Sequence, residues 1–206
     1  MNWITDKFKR IKPKIKNLFR VKIGPEGKLW ENCSCGAVLY KQDLKENLYV
    51  CNKCNKHHRI DPKERFQILF DEGQYQEISP MLPAIDDPLI FTDSKSYGMR
   101  LKQAREETGQ HDSVVLATGK VNNVYLVAGA MNFNFMGGSV GRAAGEAFVA
   151  GAEFAYANKL AYVFFSTSGG MRMQESNFSL MQMPRMIVAI NSLKQEKLPF
   201  ISVCLD

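Results

Sequence analysis

The order of apolar and polar positions divides residues 113–206 into alternating strands and helices. Two β-rich runs in SVVLATGKVNNVYLVAGAMNFNF flank a Val-Asn-Asn-Val turn, which predicts a β-hairpin because Asn tolerates positive φ. The alanine-rich segment 141–158 predicts a closely packed helix, and LAYVFFST and PFISVCL predict strands. A Gly-Gly pair stands twice between a strand and a helix. This repeated unit predicts an α/β fold with right-handed crossovers.

Two helices and a loop are predicted ahead of the hairpin. Residues 61–75 have Asp61 in the position of an N-cap, followed by Pro and an apolar face, which favours a short helix. Residues 79–93 contain three prolines and several acids, and we expect a loop there. Residues 95–109 predict a second helix that ends at the glycine in position 109.

The first 28 residues form a basic arm. They carry nine Lys or Arg against two acidic residues, whereas the net charge of the whole chain is +6. Such an arm attracts nucleic acid, acidic lipid or an acidic partner, although a solvated tail explains it equally well. The sequence has no secretory signal and no apolar run long enough to cross a bilayer, so we expect a cytoplasmic protein without a membrane span.

Four of the five cysteines lie within 22 residues of one another. They are Cys33, Cys35, Cys51 and Cys54, within WENCSCGAVLYKQDLKENLYVCNKCNKHHRI. The Cys-x-x-Cys pair is a metal knuckle, and residues 36–50 predict a hairpin that turns at Asn47. The pattern favours a zinc ribbon in which four thiolates close a structural zinc site. A redox pair and a metal-free remnant are the alternatives.

The first cysteine pair departs from the usual knuckle. Cys33 and Cys35 are separated by one residue instead of two, which disturbs the N–H to sulfur hydrogen bonds of the turn. His57 and His58 follow closely and are able to replace one thiolate. The fifth cysteine, Cys204, stands in an apolar run, where we expect a buried strand residue rather than a nucleophile.

The Gly-Gly pairs at 137–138 and 169–170 raise the question of chemistry. A glycine turn between a strand and a helix exposes backbone N–H groups and lets a ligand oxygen approach them closely. Such a turn suits an oxyanion hole for a thioester enolate. A tight turn with no room for a Cβ atom explains the same residues, and the glycines alone do not separate the two hypotheses.

Six stretches together resemble one family, the β subunit of the bacterial and plastid acetyl-CoA carboxylase carboxyltransferase. The resemblance runs from position 29 to the last residue. The stretches are LYKQDLKENLYVCNKCNKHHRI, DDPLIFTDSKSY, FNFMGGSVGRAAGE, STSGGMRMQES, SLMQM and PFISV. The resemblance implies a zinc ribbon over 29–60 and a crotonase-like core of β-β-α units over 61–206, incomplete at its C-terminus. With the basic arm over 1–28, the chain is thus predicted to have three regions.

The resemblance also implies an activity and a set of partners. The expected reaction transfers the carboxyl group from carboxybiotin, on a separate biotin carboxyl carrier protein, to acetyl-CoA. The product is malonyl-CoA for fatty acid synthesis, and biotin carboxylase uses ATP in the same assembly. The β subunit is expected to be active only with the α subunit, in an α2β2 complex. Nucleic acid is a further candidate partner, through the zinc ribbon.

The resemblance assigns roles to individual residues. The amides of Gly169 and Gly170 are expected to form an oxyanion hole, so these two residues are the catalytic candidates. Gly137 and Gly138 are expected to border the substrate cleft. Arg172 is expected to contact CoA or the partner subunit, with a packing role as the alternative.

The chain differs from the family pattern at several positions. Met171 and Ser176 stand where smaller residues are usual, and Pro184 stands inside an expected helix, where proline costs roughly 3 kcal/mol and kinks or ends the helix. The family continues beyond the final VCLD, so we expect a fragment or a truncated gene product.

Three rival functions are compatible with the residues. A nucleic-acid-binding zinc protein would use the basic arm and would bind with steep salt dependence. A crotonase-type hydratase or isomerase would need positioned carboxylates, for which Glu146 and Glu175 are the nearest to the glycine turns. An inactive remnant that still binds its α partner is the third.

Overall fold

The computed structural model describes residues 29–205, which fall into two compact units with the boundary between His58 and Arg59. The predicted basic arm over 1–28 lies outside the described residues. None of the helices between residues 29 and 205 has the length and apolar character that a bilayer crossing requires.

The first unit is a small two-stranded sheet with one short helix. Strands β1 (Trp30–Asn32) and β2 (Val38–Tyr40) pair antiparallel, and helix α1 (Lys41–Glu46) follows at once. The predicted hairpin over 36–50 is therefore wrong, because KQDLKE is rich in helix-forming residues and forms a helix that buries its one apolar side chain, Leu44. Asn47 ends this helix instead of turning a hairpin.

The second unit holds a five-stranded sheet and five helices among the described residues. The strands are β3 (Tyr75–Ile78), β4 (Val114–Val121), β5 (Val124–Met131), β6 (Ala161–Ser166) and β7 (Phe200–Cys204). The helices are α2 (Pro62–Leu69), α3 (Tyr97–Thr108), α4 (Arg142–Asn158), α5 (Asn177–Leu180) and α6 (Gln182–Gln195). The predicted loop over 79–93 contains no helix or strand.

The sheet is mixed, with the order β3-β4-β5-β6-β7. β3, β4 and β5 form an antiparallel meander, whereas β5, β6 and β7 are parallel and are joined through α4 and through α5–α6. The predicted hairpin is confirmed: Asn122 and Asn123 turn the chain between β4 and β5 with φ of 49° and 66°. The parallel strands bring the glycine pairs after β5 and β6 to one edge of the sheet.

The main core lies between α4 and the sheet. Phe148 on α4 packs edge-on against Tyr162 and Phe164 of β6, with ring centroids 5.5 Å and 4.7 Å away. Small residues let the helix approach the sheet this closely, since a Cβ atom at Gly151 would lie 2.7 Å from the Tyr162 hydroxyl. The alanine-rich composition of 141–158 thus has the packing role that the sequence predicts.

The helix boundaries follow local signals in most places. Asp61 caps α2 by accepting from the Lys63 N–H at 2.9 Å, and α3 ends at Gly109, whose φ is 64°. Pro184 is the third residue of α6, where backbone N–H groups have no partner inside the helix, so the interior cost of proline does not arise. Cys204 is a strand residue as predicted, but it is exposed rather than buried, since β7 is at the edge of the sheet that residues 29–205 form.

Candidate functional site

The two glycine turns lie side by side at the carboxyl ends of β5 and β6. The Gly169 N–H donates to the Gly137 carbonyl at 2.8 Å. On the other side, the Val140 N–H donates to the Gly170 carbonyl and the Arg172 N–H donates to the Val140 carbonyl, both at 2.9 Å. These backbone hydrogen bonds join two loops that are more than thirty residues apart in the sequence. The structure thus brings together all four glycines that the sequence singled out.

Gly138 is the glycine at which the close contact between the two turns most clearly leaves no room for a side chain. Its φ is +64°, and a Cβ atom there would lie 2.4 Å from the Thr167 carbonyl oxygen, which is backbone and cannot rotate away. Gly137 has nearly the same φ, +67°, but a Cβ atom there would meet nothing within 4 Å. The contact between the turns therefore depends on Gly138 in particular.

The amides of the predicted catalytic glycines both have partners within the loop. The Gly169 N–H is bound to the Gly137 carbonyl, whereas the Gly170 N–H donates to the Ser168 hydroxyl at 3.0 Å. Ser168 is exposed, and a hydroxyl rotates easily, so the Gly170 amide is the one that exchanges its partner at least cost. The Gly169 amide instead holds the two turns together.

The expected helix N-terminus does not follow the second glycine pair directly. A 3₁₀ turn over Met173–Glu175 comes first, and the first α-helical residue is Asn177. The backbone of Met171 pairs with Val140 in a parallel bridge, which keeps this segment extended. The glycine amides are therefore not the first amides of a helix, and no helix dipole acts on them directly.

A cleft of about 490 Å³ opens next to the first glycine turn. Gly137, Met171 and Gln174 line one side, and Gln103 and Ala104 of α3 line another. Met171, which stands where a smaller residue is usual, thus borders the cleft. A larger apolar groove of about 770 Å³ lies between α4 and α6, and none of the four glycines lines it.

Arg172 is completely buried beneath the second turn. Its guanidinium donates to both carboxylate oxygens of Asp112 at 2.7 Å, to the Tyr97 hydroxyl at 3.1 Å and to the Ser139 carbonyl at 2.8 Å. Burial alone would lower the pKa of Arg172, but the Asp112 carboxylate outweighs burial and raises it. The sequence predicts a substrate contact here, whereas a guanidinium with no exposed surface and this set of partners supports the loop instead.

Glu175 completes the same buried cluster. It accepts from the Tyr97 hydroxyl at 2.5 Å and from the Arg142 N–H at 2.7 Å. Burial raises the pKa of Tyr97, which keeps the hydroxyl protonated as the donor to Glu175. Among residues 29–205, therefore, Arg172, Asp112, Tyr97 and Glu175 form one hydrogen-bonded cluster, which we call the buried Arg172 cluster.

The carboxylates of the rival hydratase hypothesis are both committed to other contacts. Glu175 is buried in the cluster just described. Glu146 accepts from Arg185 at 2.5 Å, in an ion pair between α4 and α6. Neither residue lines the cleft beside Gly137, so the described part of the chain gives the hydratase chemistry no free acid or base at these two positions.

Three partners of Arg172 are not predictable from the local sequence. Tyr97, Asp112 and Ser139 precede it by 75, 60 and 33 residues, so no local spacing connects them. The stretch DDPLIFTDSKSY, which contains Tyr97, belongs to the family resemblance, but the residues alone give it no role. A buried ion pair of this kind is found only when the fold brings its members together.

The four clustered cysteines meet at one point in the first unit. Their Sγ atoms all lie within 4.8 Å of one another, with Cys33 and Cys54 3.6 Å apart and Cys35 and Cys51 3.9 Å apart. The Lys53 N–H points to the Cys51 sulfur at 3.4 Å, as in a metal knuckle. The short Cys-x-Cys pair thus still brings both of its sulfurs to the cluster.

The close approach of four thiols, all within 4.8 Å of one another, fits a cation. The Cys35 amide donates to Cys33 and lowers the pKa of its thiol to about 6. At Cys54 the Lys56 amide acts in the same direction, but burial and the neighbouring thiols outweigh it and raise the pKa to about 12. Four sulfurs this close ionise together only around a positive ion. Four thiolates in a closed arrangement are the donor set of structural zinc.

Replacing Cys51 by Ser should remove the metal and unfold the first unit. Cys51 is fully buried, and structural zinc contributes about 10–16 kcal/mol in zinc-finger peptides. We expect zinc content to fall from one ion per chain to none, by elemental analysis, and protease cleavage to appear within 29–58. The matched control is Cys204→Ser, since that cysteine is exposed and lies on β7. Full zinc content in Cys51→Ser would contradict the assignment.

Two family models match this chain, one within each of its two compact units. Residues 62–205 match the model of the carboxyl transferase domain, and residues 30–54 match the acetyl-CoA carboxylase zinc finger domain. Transcarboxylase 12S, solved with methylmalonyl-coenzyme A and methylmalonic acid bound, has a similar fold. It aligns with a TM-score of 0.56 at 24% identity, over 71% of this chain and 25% of that one.

Two curated relatives carry the same name. The acetyl-coenzyme A carboxylase carboxyl transferase subunit beta of Dinoroseobacter shibae is 44% identical over 98% of this chain and 62% of its own length. The protein of that name from Pelagibacter ubique is 44% identical over 100% of this chain and 67% of its own length. The chain thus spans about two thirds of the length of these relatives. With an α/β core of the expected crotonase-like type and a cysteine cluster that matches the zinc finger, the chain belongs to the carboxyl transferase domain family.

Proposed function

We propose that this protein is the β subunit of an acetyl-CoA carboxylase carboxyltransferase, which transfers a carboxyl group from carboxybiotin to acetyl-CoA and forms malonyl-CoA. The observation that carries the proposal is the pair of glycine turns joined by the Gly169–Gly137 hydrogen bond, beside a cleft of about 490 Å³. The family match and the names of the curated relatives support the same reaction.

The chemistry requires a donor for the oxygen of a thioester enolate. Carboxybiotin, on its separate carrier protein, would supply the carboxyl group. In this chain the Gly170 amide is the best placed donor, since it needs only to release the Ser168 hydroxyl. Removal of one preorganised donor of this type costs about 2.7–4 kcal/mol in other enzymes. Gly137 and Gly138 would form the adjacent wall, with Gly169 holding the two turns in register.

We assign Arg172 a positioning role in this reaction. Its backbone N–H holds Val140 of the first loop, while its side chain binds Asp112, which precedes β4. The second glycine turn is thus attached to the first loop and to the start of the central hairpin. Backbone N–H donors stabilise an oxyanion only when they are held in a fixed orientation. Catalysis in the proposed reaction therefore requires that Arg172 hold the second glycine turn in place.

The proposed partners follow from the same family. They are the carboxyltransferase α subunit in an α2β2 complex, the biotin carboxyl carrier protein and biotin carboxylase, acting in the cytoplasm. The proposed binding of nucleic acid would use the zinc ribbon together with the basic arm over 1–28, and the arm lies outside the described residues. The cleft and the glycine turns therefore favour the carboxyltransferase over that alternative.

The test is the reverse reaction in the reconstituted complex. We expect the full-length protein, mixed with the carboxyltransferase α subunit of the same organism, to catalyse malonyl-CoA-dependent carboxylation of free biotin. The protein without the α subunit is the control and should be inactive. A stable complex without activity would contradict the proposed reaction and favour a remnant that only binds its partner.

A further inference from the structure

The two glycine turns leave open space beside them. A Cβ atom at Gly137 or at Gly170 would meet no atom within 4 Å outside its own stretch of chain, whereas one at Gly138 would lie 2.4 Å from the Thr167 carbonyl oxygen. Gly137 lines the cleft of about 490 Å³, and the Gly170 amide is the donor assigned above to the thioester oxygen. The acyl group of a bound thioester would therefore occupy the open space beside Gly137 and Gly170.

Met171 has the first side chain after the second turn, since both residues before it are glycine. This side chain is half-buried and lines the cleft, whereas the next residue, Arg172, is completely buried. Consecutive Cα atoms are about 3.8 Å apart, so the Met171 side chain begins next to the Gly170 amide. A group bound to that amide therefore lies within reach of the Met171 thioether.

The backbone of Met171 is held in place on both sides. Met171 forms a parallel bridge with Val140. The Val140 N–H donates to the Gly170 carbonyl and the Arg172 N–H donates to the Val140 carbonyl, both at 2.9 Å. The Arg172 side chain is bound in turn to Asp112. The Met171 backbone therefore moves away from the cleft only if these contacts break.

The other apolar side chains that line the cleft are less closely connected to the Gly170 amide. Met136 precedes Gly137 on the first turn, Met173 is 67% exposed, and Ala104 of α3 ends at its Cβ atom. Among the apolar lining residues, Met171 is thus the one that adjoins the proposed donor along the chain. Its thioether limits the room for an acyl group there.

We propose that Met171 determines the acyl specificity of this site, by admitting an acetyl group and excluding acyl groups with one more carbon, such as propionyl. The inference rests on the proposed function and narrows its substrate class. An added methylene would need volume that the thioether fills, and apolar sites discriminate one methylene by about 10- to 200-fold. Met171 acts through its volume and takes no part in the transfer of the carboxyl group.

The test compares two thioesters in the complex of the full-length protein with the α subunit. Carboxylation of free biotin is measured with malonyl-CoA and with methylmalonyl-CoA, which leave an acetyl and a propionyl group after transfer. We expect Met171→Ala to raise kcat/KM for methylmalonyl-CoA relative to malonyl-CoA by roughly tenfold or more. Met171→Leu conserves the volume and should keep the ratio of the unmodified complex. Met99→Ala is the matched control, because Met99 is 63% exposed and does not line the cleft.

An unchanged ratio in an active Met171→Ala variant would overturn the inference. An equal loss of activity with both thioesters would also overturn it, since the side chain would then support the turn rather than limit the acyl group. Calorimetric binding of acetyl-CoA and propionyl-CoA gives a second readout, in which Met171→Ala should gain relative affinity for propionyl-CoA. Equal affinities in the unmodified complex would overturn the inference, whereas selective binding without carboxylation of biotin would contradict the proposed function alone.

Discussion

Gly138→Ala should reduce carboxyltransferase activity by about 100-fold or more, the scale seen when a preorganised oxyanion donor is lost. The added methyl group would lie 2.4 Å from the Thr167 carbonyl oxygen, so the two glycine turns must move apart. That movement breaks the hydrogen bond between Gly169 and Gly137 and displaces the neighbouring Gly170 amide. The measurement is the turnover number for malonyl-CoA-dependent carboxylation of biotin, in the complex with the α subunit.

Gly137→Ala is the matched control for this prediction. Both positions have left-handed φ, +64° and +67°, so alanine carries a similar backbone strain of about 1–2 kcal/mol at each. Only Gly138 adds the clash with backbone. Gly137→Ala also places its methyl group at the wall of the cleft, so only activity that is lower in Gly138→Ala than in Gly137→Ala is assigned to the close approach of the turns. Equal activities in the two variants would show that the contact between the loops has no role in the reaction.

Asp112→Ala should destabilise the second unit by about 3–5 kcal/mol, because it leaves the fully buried Arg172 guanidinium without its carboxylate. Both oxygens of Asp112 accept from this guanidinium, and the Asp112 side chain is itself only 6% exposed. The measurement is the midpoint of urea denaturation, followed by the loss of helical circular dichroism.

An exposed ion pair of the same geometry provides the control. Asp86 accepts from Arg105 through both oxygens at 2.7 and 2.8 Å, but its side chain is 44% exposed. Asp86→Ala should therefore cost at most about 1 kcal/mol. If the two aspartate variants lost the same stability, the buried Arg172 cluster would not hold the loops in the way that the structure indicates.

The parts of the fold that the sequence predicts well are those determined by residues adjacent in the sequence. Asn122 and Asn123 turn the hairpin, Asp61 caps α2 and Gly109 ends α3, each through the conformational preferences of one or two residues. The helix over Lys41–Glu46 was missed because alternating apolar residues and a nearby Asn also suit a hairpin. The helix is favoured because it buries Leu44 against the cysteines. This contact joins distant residues, so the local sequence pattern does not show it.

The glycines of the candidate site were predictable from the sequence, but the buried Arg172 cluster that holds their loops in place was not. The two Gly-Gly pairs follow strands that become parallel neighbours, so their meeting is a consequence of the β–α repeat. Arg172 follows the second glycine turn and was expected to contact CoA or the partner subunit, with a packing role as the alternative. Its burial depends on Asp112 and Tyr97, which come from distant segments and meet it only in the folded chain. The internal bonds of the Gly169 and Gly170 amides are likewise visible only in the structure.

The most direct test of the central claim is a crystal structure of the complex with the α subunit and an unreactive acetyl-CoA analogue. The account predicts that the thioester oxygen lies about 3 Å from the Gly170 amide nitrogen, beside Gly137 and Gly138, with the Ser168 hydroxyl turned away. A thioester bound elsewhere, for example in the groove between α4 and α6, with the Gly170 amide still on Ser168, would contradict it.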